Sequence, residues 1–215
     1  MIARLIRNRD VIGDEEIHKY LYGNLSDISD PFLMKGVREG VDIIREKIRD
    51  RKTIRIISDY DVDGVVSNYI LWKAIYDLGG MIDFQIPDRM KDGYGINENI
   101  IEKAVEDQID TILTCDNGIA ASEAIRFGKE HGLTMIITDH HDVPFILNED
   151  GSKEEILPPA DVVINPKQKE CKYPYPLLCG AGVAFQFVRA LYKSMGEDEN
   201  KLEDLLSNAC DCDCM

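Results

Sequence analysis

The chain has 215 residues, of which 44% are hydrophobic and 30% charged, a composition typical of a globular protein of one large or two small domains. No apolar run is long enough to cross a bilayer and the charged N-terminus excludes a secretory signal, so we expect a cytoplasmic protein without a membrane partner. The net charge of −15 is unfavourable for binding a long polyanion, although bound metal or clustered basic residues can offset it locally.

Residues 1–52 are predicted to form a helical N-terminal arm that packs on a second domain covering residues 53–215. Residues 14–22 suit a short helix. Pro31 suits the start of a longer helix whose apolar residues recur at helical spacing, and a run of basic residues from Arg45 to Lys52 favours its end there.

From residue 54 onward, short apolar runs alternate with helical patterns. Strands are predicted at 54–57, 81–87, 110–115, 133–138 and 160–164, and helices at 65–78, 96–108, 120–131, 180–195 and 197–207. Asn97 is a candidate helix cap, and residues 139–160 are predicted to be a polar, proline-containing loop. This alternation predicts an α/β, doubly wound fold, in which a mainly parallel sheet carries helices on both faces.

Acidic residues follow three of the predicted strands. In parallel α/β sheets ligands bind beyond the carboxyl ends of the strands, so these acids are expected to meet at one edge. They are Asp59, Asp61 and Asp63 after the first strand, Asp116 after the third, and Asp139 after the fourth. Considered alone, the first group is equally consistent with an ordinary acidic turn.

Two adjacent histidines, His140 and His141, follow Asp139 at the same predicted edge. Imidazole together with carboxylate suits a transition metal such as Mn²⁺, and this number of ligands indicates two ions rather than one. The six cysteines include no Cys-x-x-Cys pair, so a structural zinc site is not expected. Two metal ions clamping a phosphoryl group would hydrolyse a phosphoester or phosphoanhydride.

Three segments resemble the motifs of the DHH phosphoesterases and, within that family, of the RecJ-like branch. They are Asp59-Tyr-Asp-Val-Asp-Gly64, Cys115-Asp-Asn-Gly-Ile119 and Asp139-His-His141. Further matches are the segment from Arg89 to Gly95, Asn165-Pro166 and Cys179-Gly-Ala-Gly-Val183, so the resemblance covers about residues 8–195.

The resemblance implies a role for each residue of the site. Asp61 and Asp63 would each hold one metal ion, Asp116 would bridge both ions, and His140 would be a further ligand. His141 would contact the scissile phosphate or help to activate water. Asp139 would orient an imidazole, and Asp59 would either bind metal or hold a ligand in place.

Four residues are candidates for substrate binding. Arg89 could steer phosphates, unless its loop is simply solvated, and Tyr94 could stack on a base. Gly180 and Gly182 open a predicted helix whose N–H groups could bind an anion, and close helix packing is the alternative.

The family also has a fourth metal-binding Asp, followed by a second domain named DHHA1. Asp213 or Asp211 in the C-terminal tail could be that ligand, or the tail could be a frayed acidic end. No DHHA1 domain follows, so we expect a truncated form of a longer protein, in which the fragment could be inactive.

The resemblance therefore implies a Mn²⁺-dependent phosphodiesterase, with Mg²⁺ as a substitute, that acts 5′→3′ on single-stranded DNA in repair and recombination. Oligoribonucleotides and cyclic dinucleotides are alternative substrates. An inactive metal- or DNA-binding fragment and a signalling receiver domain are alternatives of other classes.

Overall fold

The computed structural model describes residues 2–8, 11–88, 90 and 95–213, without the side chains of residues 2, 3, 5 and 210–213. The chain forms two units, Met1–Asp30 and Pro31–Met215, whereas the sequence placed the boundary at residue 52. The first unit contains α1 (Ile2–Arg7), α2 (Asp14–Tyr22) and a 3₁₀ turn at Leu25–Asp27, so α2 lies at the predicted position.

The second unit is built on a five-stranded parallel sheet. The strands of the whole unit are β1 (Thr53–Ser58), β2 (Met81–Gln85), β3 (Thr111–Cys115), β4 (Thr134–Thr138), β5 (Phe145–Leu147), β6 (Lys153–Glu155) and β7 (Val162–Ile164). The order in the parallel sheet is β2-β1-β3-β4-β7, while β5 and β6 form a separate antiparallel hairpin.

Helices cover both faces of the sheet. They are α3 (Val37–Arg49), α4 (Val62–Asp77), α5 (Glu98–Glu106), α6 (Ser122–Glu130), α7 (Gly180–Met195) and α8 (Glu203–Asp213). The helices α3, α4, α7 and α8 pack together in one layer, and α5 packs with α6 in another. This arrangement confirms the predicted α/β fold with a mainly parallel sheet and helices on both faces.

Each helical layer buries a continuous apolar surface. The central strands β1, β3 and β4 are almost wholly buried, as strands covered on both faces must be. On the α5–α6 side, Ile101 and Ile125 join Ile112 and Ile137 in one core cluster. On the other side, α7 is buried along most of its length, which fixes its N-terminus beside the end of β3.

Several predicted boundaries are corrected. The helix predicted from Pro31 is a 3₁₀ turn at Pro31–Leu33, and α3 begins only at Val37, because Gly36 turns the chain with a φ of 84°. The next helix, α4, begins at Val62 instead of 65, because Asp61 caps it.

Two further elements differ from the sequence interpretation. The predicted loop at 139–160 contains the β5–β6 hairpin, whose residues are mostly exposed and therefore give no buried-strand pattern. The helix predicted at 197–207 is a 3₁₀ turn at Glu199–Leu202 followed by α8. Among the described residues, the structure contains no helix that combines the length and the apolar surface a bilayer span needs.

Candidate metal centre

The register of the sheet brings the acidic residues to one edge. Ser58 of β1 is paired with Cys115 of β3, and Cys115 is paired with Thr138 of β4. The residue that follows each of these strand ends is an aspartate, and all three are almost fully buried: Asp59, Asp116 and Asp139. The parallel register is therefore what gathers carboxylates that are far apart in the sequence.

The first acidic segment turns tightly into α4. Asp61 caps this helix, and its Oδ1 accepts a hydrogen bond from the Gly64 N–H at 2.9 Å. A Cβ atom at Gly64 would lie 2.3 Å from the Asp59 carbonyl oxygen, so only glycine fits there. The glycine of the motif thus allows Asp59 and Asp61 to stay close to each other.

Asp63 is held by the N-terminus of α7. Its Oδ2 accepts from the Gly180 N–H at 2.6 Å and its Oδ1 from the Ala181 N–H at 2.7 Å. A helix N-terminus favours a negative charge, so the contact stabilises the Asp63 carboxylate. The Gly182 N–H donates to the Cys179 sulfur at 3.3 Å. Substrate binding by Gly180 and Gly182 stays a prediction.

Two groups of potential metal ligands share Asp116. In each group the ligand atoms lie within 4.8 Å of one another: Asp59, Asp61 and Asp116 in one, and Asp116, His140 and His141 in the other. Asp116 Oδ1 is buried. The His140 Nε2 atom lies 3.0 Å from this oxygen and 3.4 Å from Asp63 Oδ2. This donor set fits divalent cations that accept both carboxylate and imidazole.

The electrostatics of Asp116 also favour a cation. Burial raises the pKa of Asp116 to about 6, and the neighbouring charges of Asp63 and Asp61 add to the effect, while His140 opposes it. Asp116 also has a φ of 58°, in the left-handed region. A bound cation would restore the ionised carboxylate, because it supplies the positive charge that this buried site needs.

Asp139 holds the imidazole of His141. Its Oδ1 lies 2.7 Å from His141 Nδ1 and accepts from the backbone N–H groups of His140 and His141, while its Oδ2 accepts from the Ile119 N–H at 2.9 Å. The hydrogen bond to Asp139 raises the pKa of His141 to about 9. Although burial acts in the opposite direction, these hydrogen bonds lower the pKa of Asp139. Asp139 is therefore in direct contact with the His141 ring, and its role in orienting that imidazole stays a prediction.

The structure brings Asp59, Asp61, Asp63, Asp116, Asp139, His140 and His141 to one edge, and their individual roles stay predictions. Arg89 and Tyr94 lie outside the described residues. Asp211 and Asp213 belong to α8, but their side chains are not among those described.

Two asparagines at this edge received no role from the sequence. The buried Asn165 donates from Nδ2 to the His141 carbonyl oxygen at 2.9 Å. Asn117, next to Asp116, is buried as well. Both lie inside matched motifs, and that position was the one signal that could have singled them out.

Comparison with protein families identifies one matching domain. Residues 53–212 match the model described as "DHH family, N-terminal domain". The chain is 38% identical over 205 residues to the single-stranded-DNA-specific exonuclease RecJ of Bacillus subtilis, covering 95% of this chain and 24% of that protein. It is 31% identical over 214 residues to the RecJ of Haemophilus influenzae, covering 96% of this chain and 35% of that protein. The chain thus spans a quarter to about a third of these relatives.

Solved structures agree with this similarity. A crystal structure of exonuclease RecJ bound to manganese aligns with a TM-score of 0.66 and 32% identity, covering 77% of this chain and 39% of that one. The structure of RecJ in complex with Mn²⁺ from Thermus thermophilus aligns with a TM-score of 0.60 and 28% identity, covering 84% of this chain and 25% of that one.

Proposed function

Because the chain belongs to the DHH family and contains its N-terminal domain, we propose that it is the metal-binding part of a phosphodiesterase. The substrate is single-stranded DNA, which is degraded from the 5′ end in the cytoplasm during repair and recombination. The relatives described as RecJ exonucleases support this choice, since their similarity extends over 95% and 96% of the chain.

The observation that carries the proposal is the position of Asp116 in both ligand groups. A carboxylate shared by two ligand groups can bridge a pair of closely spaced cations, and such pairs are typical of enzymes that cleave phosphate esters. The buried Oδ1 of Asp116, which lies 3.0 Å from the His140 Nε2 atom, supports this role because both atoms can bind a cation.

Asp61 would hold one Mn²⁺ ion and Asp63 the other, with Mg²⁺ as a substitute. Asp59 belongs to the same ligand group as Asp61, and the His140 Nε2 atom lies 3.4 Å from Asp63 Oδ2, so Asp59 would join Asp61 at one ion and His140 would join Asp63 at the other. When bound, the two cations would supply Lewis-acid polarisation of the phosphate and a water of lowered pKa. Asp63 can accept from α7 and still bind metal, because each carboxylate oxygen has two lone pairs.

His141 is the residue that would contact the scissile phosphate. Its Nδ1 is held by Asp139, so Nε2 is the nitrogen that would donate to a phosphate oxygen. With a pKa raised to about 9, the metal-free imidazole is cationic at neutral pH and suited to an anionic substrate. Asp139 acts by fixing this orientation and charge.

The proposal is tested on the purified chain with 5′- and 3′-labelled single-stranded oligonucleotides, a duplex control and Mn²⁺ or EDTA. We expect Mn²⁺-dependent release of mononucleotides from the 5′ end of single strands. Asp116→Asn should abolish hydrolysis, and Asp42→Asn should not, because the Asp42 side chain is 64% exposed on α3. Full activity of Asp116→Asn would refute the site.

A second candidate substrate is a short nucleotide, either an oligoribonucleotide or a cyclic dinucleotide. The net charge of −15 favours it, since a short substrate needs no extended basic surface. Hydrolysis confined to dinucleotides in the same assay would select this function.

A further inference from the structure

Lys167 lies near the candidate metal centre, just beyond the end of β7. The Asp139 N–H donates to the Ile164 carbonyl oxygen at 3.0 Å, so the carboxyl end of β7 adjoins that of β4. Lys167 comes three residues after Ile164, the last residue of β7. The edge strand of the parallel sheet therefore adds a basic residue to the edge at which the carboxylates meet.

The buried side chain of Asn165 connects the backbone of Lys167 to that of His141. Asn165 Nδ2 donates to the His141 carbonyl oxygen at 2.9 Å, and Asn165 Oδ1 accepts from the Lys167 N–H at 2.8 Å. The two side chains also influence each other. Asp139 raises the pKa of His141 to about 9, and the nearby charge of Lys167 opposes this rise. Lys167 is therefore held close to the imidazole that we propose contacts the scissile phosphate.

The ammonium group of Lys167 is paired with a carboxylate that it can exchange. Lys167 Nζ lies 2.9 Å from Asp142 Oδ1, and the Asp142 side chain is 93% exposed, compared with 28% for Lys167. A pair with so exposed a carboxylate contributes little to stability, because water solvates that carboxylate almost as well as the ammonium does. Another anion can therefore replace Asp142 while the backbone of Lys167 stays in place.

A phosphate group is the anion that best matches this position. Lysine binds phosphate as a compact point charge with three donors. Asp142 directly follows His141, so its carboxylate places an anion next to the residue that would contact the scissile phosphate. A nucleic-acid strand has a phosphate at every nucleotide, and a strand bound at the metal centre would bring a second one close by. Because the net charge of the chain is −15, attraction of that phosphate has to come from local cations such as Lys167.

We propose that Lys167 forms a second phosphate-binding subsite beside the metal centre, and that a phosphate of the bound strand displaces Asp142 from the Lys167 ammonium. This phosphate is a neighbour, along the strand, of the one at the metal centre. The proposal rests on the proposed function for the position of the first phosphate. It makes Asp142 a competing carboxylate that occupies Lys167 in the absence of substrate.

Equilibrium binding tests the subsite independently of hydrolysis. The probes are thymidine 5′-monophosphate and thymidine 3′,5′-bisphosphate, titrated calorimetrically into the Mn²⁺-loaded chain. We expect the wild type to prefer the bisphosphate, and Lys167→Met to reduce that preference about three- to tenfold with little change in the affinity for the monophosphate. Lys167→Arg keeps the charge and should keep the preference. Equal affinity of the wild type for both probes, or an undiminished preference in Lys167→Met, would overturn the proposal.

Lys129→Met is the matched control for the loss of one positive charge. Lys129 contacts both oxygens of Asp161 at 2.7 Å, and the Asp161 N–H donates to the carbonyl oxygen of Met135 near the amino end of β4. This pair therefore lies at the end of the sheet opposite the metal centre. The preference for the bisphosphate should be unchanged in Lys129→Met. An equal reduction in Lys129→Met and Lys167→Met would show that net charge sets the preference, and it would overturn the subsite.

Asp142→Asn tests the displacement of the competing carboxylate. Removing this negative charge frees the Lys167 ammonium, so the preference for the bisphosphate should rise about two- to fivefold. The melting temperature should stay close to that of the wild type, because the Asp142 side chain is exposed. A weaker preference in Asp142→Asn would show that Asp142 positions Lys167 instead of competing for it, and it would overturn the displacement. If Lys167→Met does not fold, Lys167→Gln replaces it with the same expected loss of preference.

The subsite and the enzymatic function fail in different ways. Hydrolysis of single strands by a wild type that binds both probes equally overturns the subsite alone. A chain that prefers the bisphosphate, and loses this preference in Lys167→Met, but hydrolyses none of the substrates refutes the enzymatic function and keeps the subsite. A wild type that binds neither probe overturns the subsite as well.

Discussion

Gly180 lies directly against Asp116, so closely that a Cβ atom at Gly180 would be 2.8 Å from the Cβ and 2.9 Å from the Oδ1 of Asp116. The same glycine donates its N–H to Asp63 Oδ2 at 2.6 Å. The first residue of α7 therefore contacts two carboxylates of the candidate metal centre. A side chain at this position would have to displace either the helix or the shared ligand.

Gly180→Ala should accordingly weaken Mn²⁺ binding by about 10–100-fold, the usual range for residues that orient metal ligands. A Mn²⁺ titration followed by electron paramagnetic resonance measures the effect. Gly182→Ala is the matched control, since its Cβ would meet the flexible end of Leu178 at 3.1 Å. Equal affinities for the two variants would contradict the importance of the Gly180 contact.

Metal affinity should depend on pH through Asp116. Its pKa of about 6 in the metal-free chain means that a proton must leave before the carboxylate binds a cation. Below this pKa, protonation of Asp116 alone should lower the affinity for Mn²⁺ by up to about tenfold per pH unit. The Asp116→Asn variant should bind Mn²⁺ weakly, and its affinity should lack the pH dependence that the Asp116 carboxyl contributes. An affinity that is constant from pH 7 to pH 5 would contradict the raised pKa.

The same raised pKa predicts that Asp116→Asn stabilises the metal-free chain. A carboxyl whose folded pKa exceeds its unfolded value of about 3.9 loses its favourable contribution as the pH rises from about 4 to about 6. At pH 7 the wild type therefore carries a costly buried charge, which asparagine removes. Denaturant unfolding with EDTA should show a gain of about 1–3 kcal/mol, and Asp42→Asn should show none. The gain should disappear at pH 4.

His141 should titrate well above an ordinary histidine because of Asp139. Its folded pKa is raised to about 9, so the stability it contributes is present below about pH 6.5 and is lost as the pH rises through about 9. Nuclear magnetic resonance of the imidazole nitrogens in the metal-free chain measures the midpoint directly. In Asp139→Asn the midpoint should move down towards about 6.5, because the carboxylate partner is gone. An unchanged midpoint would show that another group holds the proton.

The sequence was sufficient to predict the fold class and the residues at the sheet edge, because both follow from local patterns. Apolar runs ending in Asp59, Asp116 and Asp139 predict parallel strands whose carboxyl ends converge, and the register in the structure brings these residues to one edge. The β5–β6 hairpin was missed because its short, mostly exposed strands carry no burial signal.

Contacts between distant parts of the chain were beyond the sequence. Gly180 is 117 positions from Asp63, and no local pattern shows that the start of α7 meets this carboxylate. The unpaired amide of Asn117 likewise depends on what surrounds it in three dimensions. Such information appears only when the helices are packed on the sheet.

Arg55 should stabilise the fold without affecting the metal centre. Its side chain is 10% exposed and pairs with both oxygens of Asp83, at 2.8 and 2.7 Å, and with Asp107 at 2.8 Å, thereby tying β1 to β2 and to the end of α5. These hydrogen bonds raise the pKa of Arg55. Lysine keeps the charge but cannot form the same forked contacts.

Arg55→Lys should therefore lower the free energy of unfolding by about 1–2 kcal/mol, a modest value because solvent screens the partly exposed carboxylates. Arg49→Lys is the matched control, since the Arg49 side chain is 69% exposed and pairs only at the surface, with Asp50 and Glu46. Denaturant unfolding of both variants, together with a Mn²⁺ titration, separates stability from metal binding. Equal loss of stability in the two variants would show that burial of the Arg55 network does not stabilise the fold. A loss of Mn²⁺ affinity in Arg55→Lys would show that a change in β1 alters the metal centre at the carboxyl end of that strand.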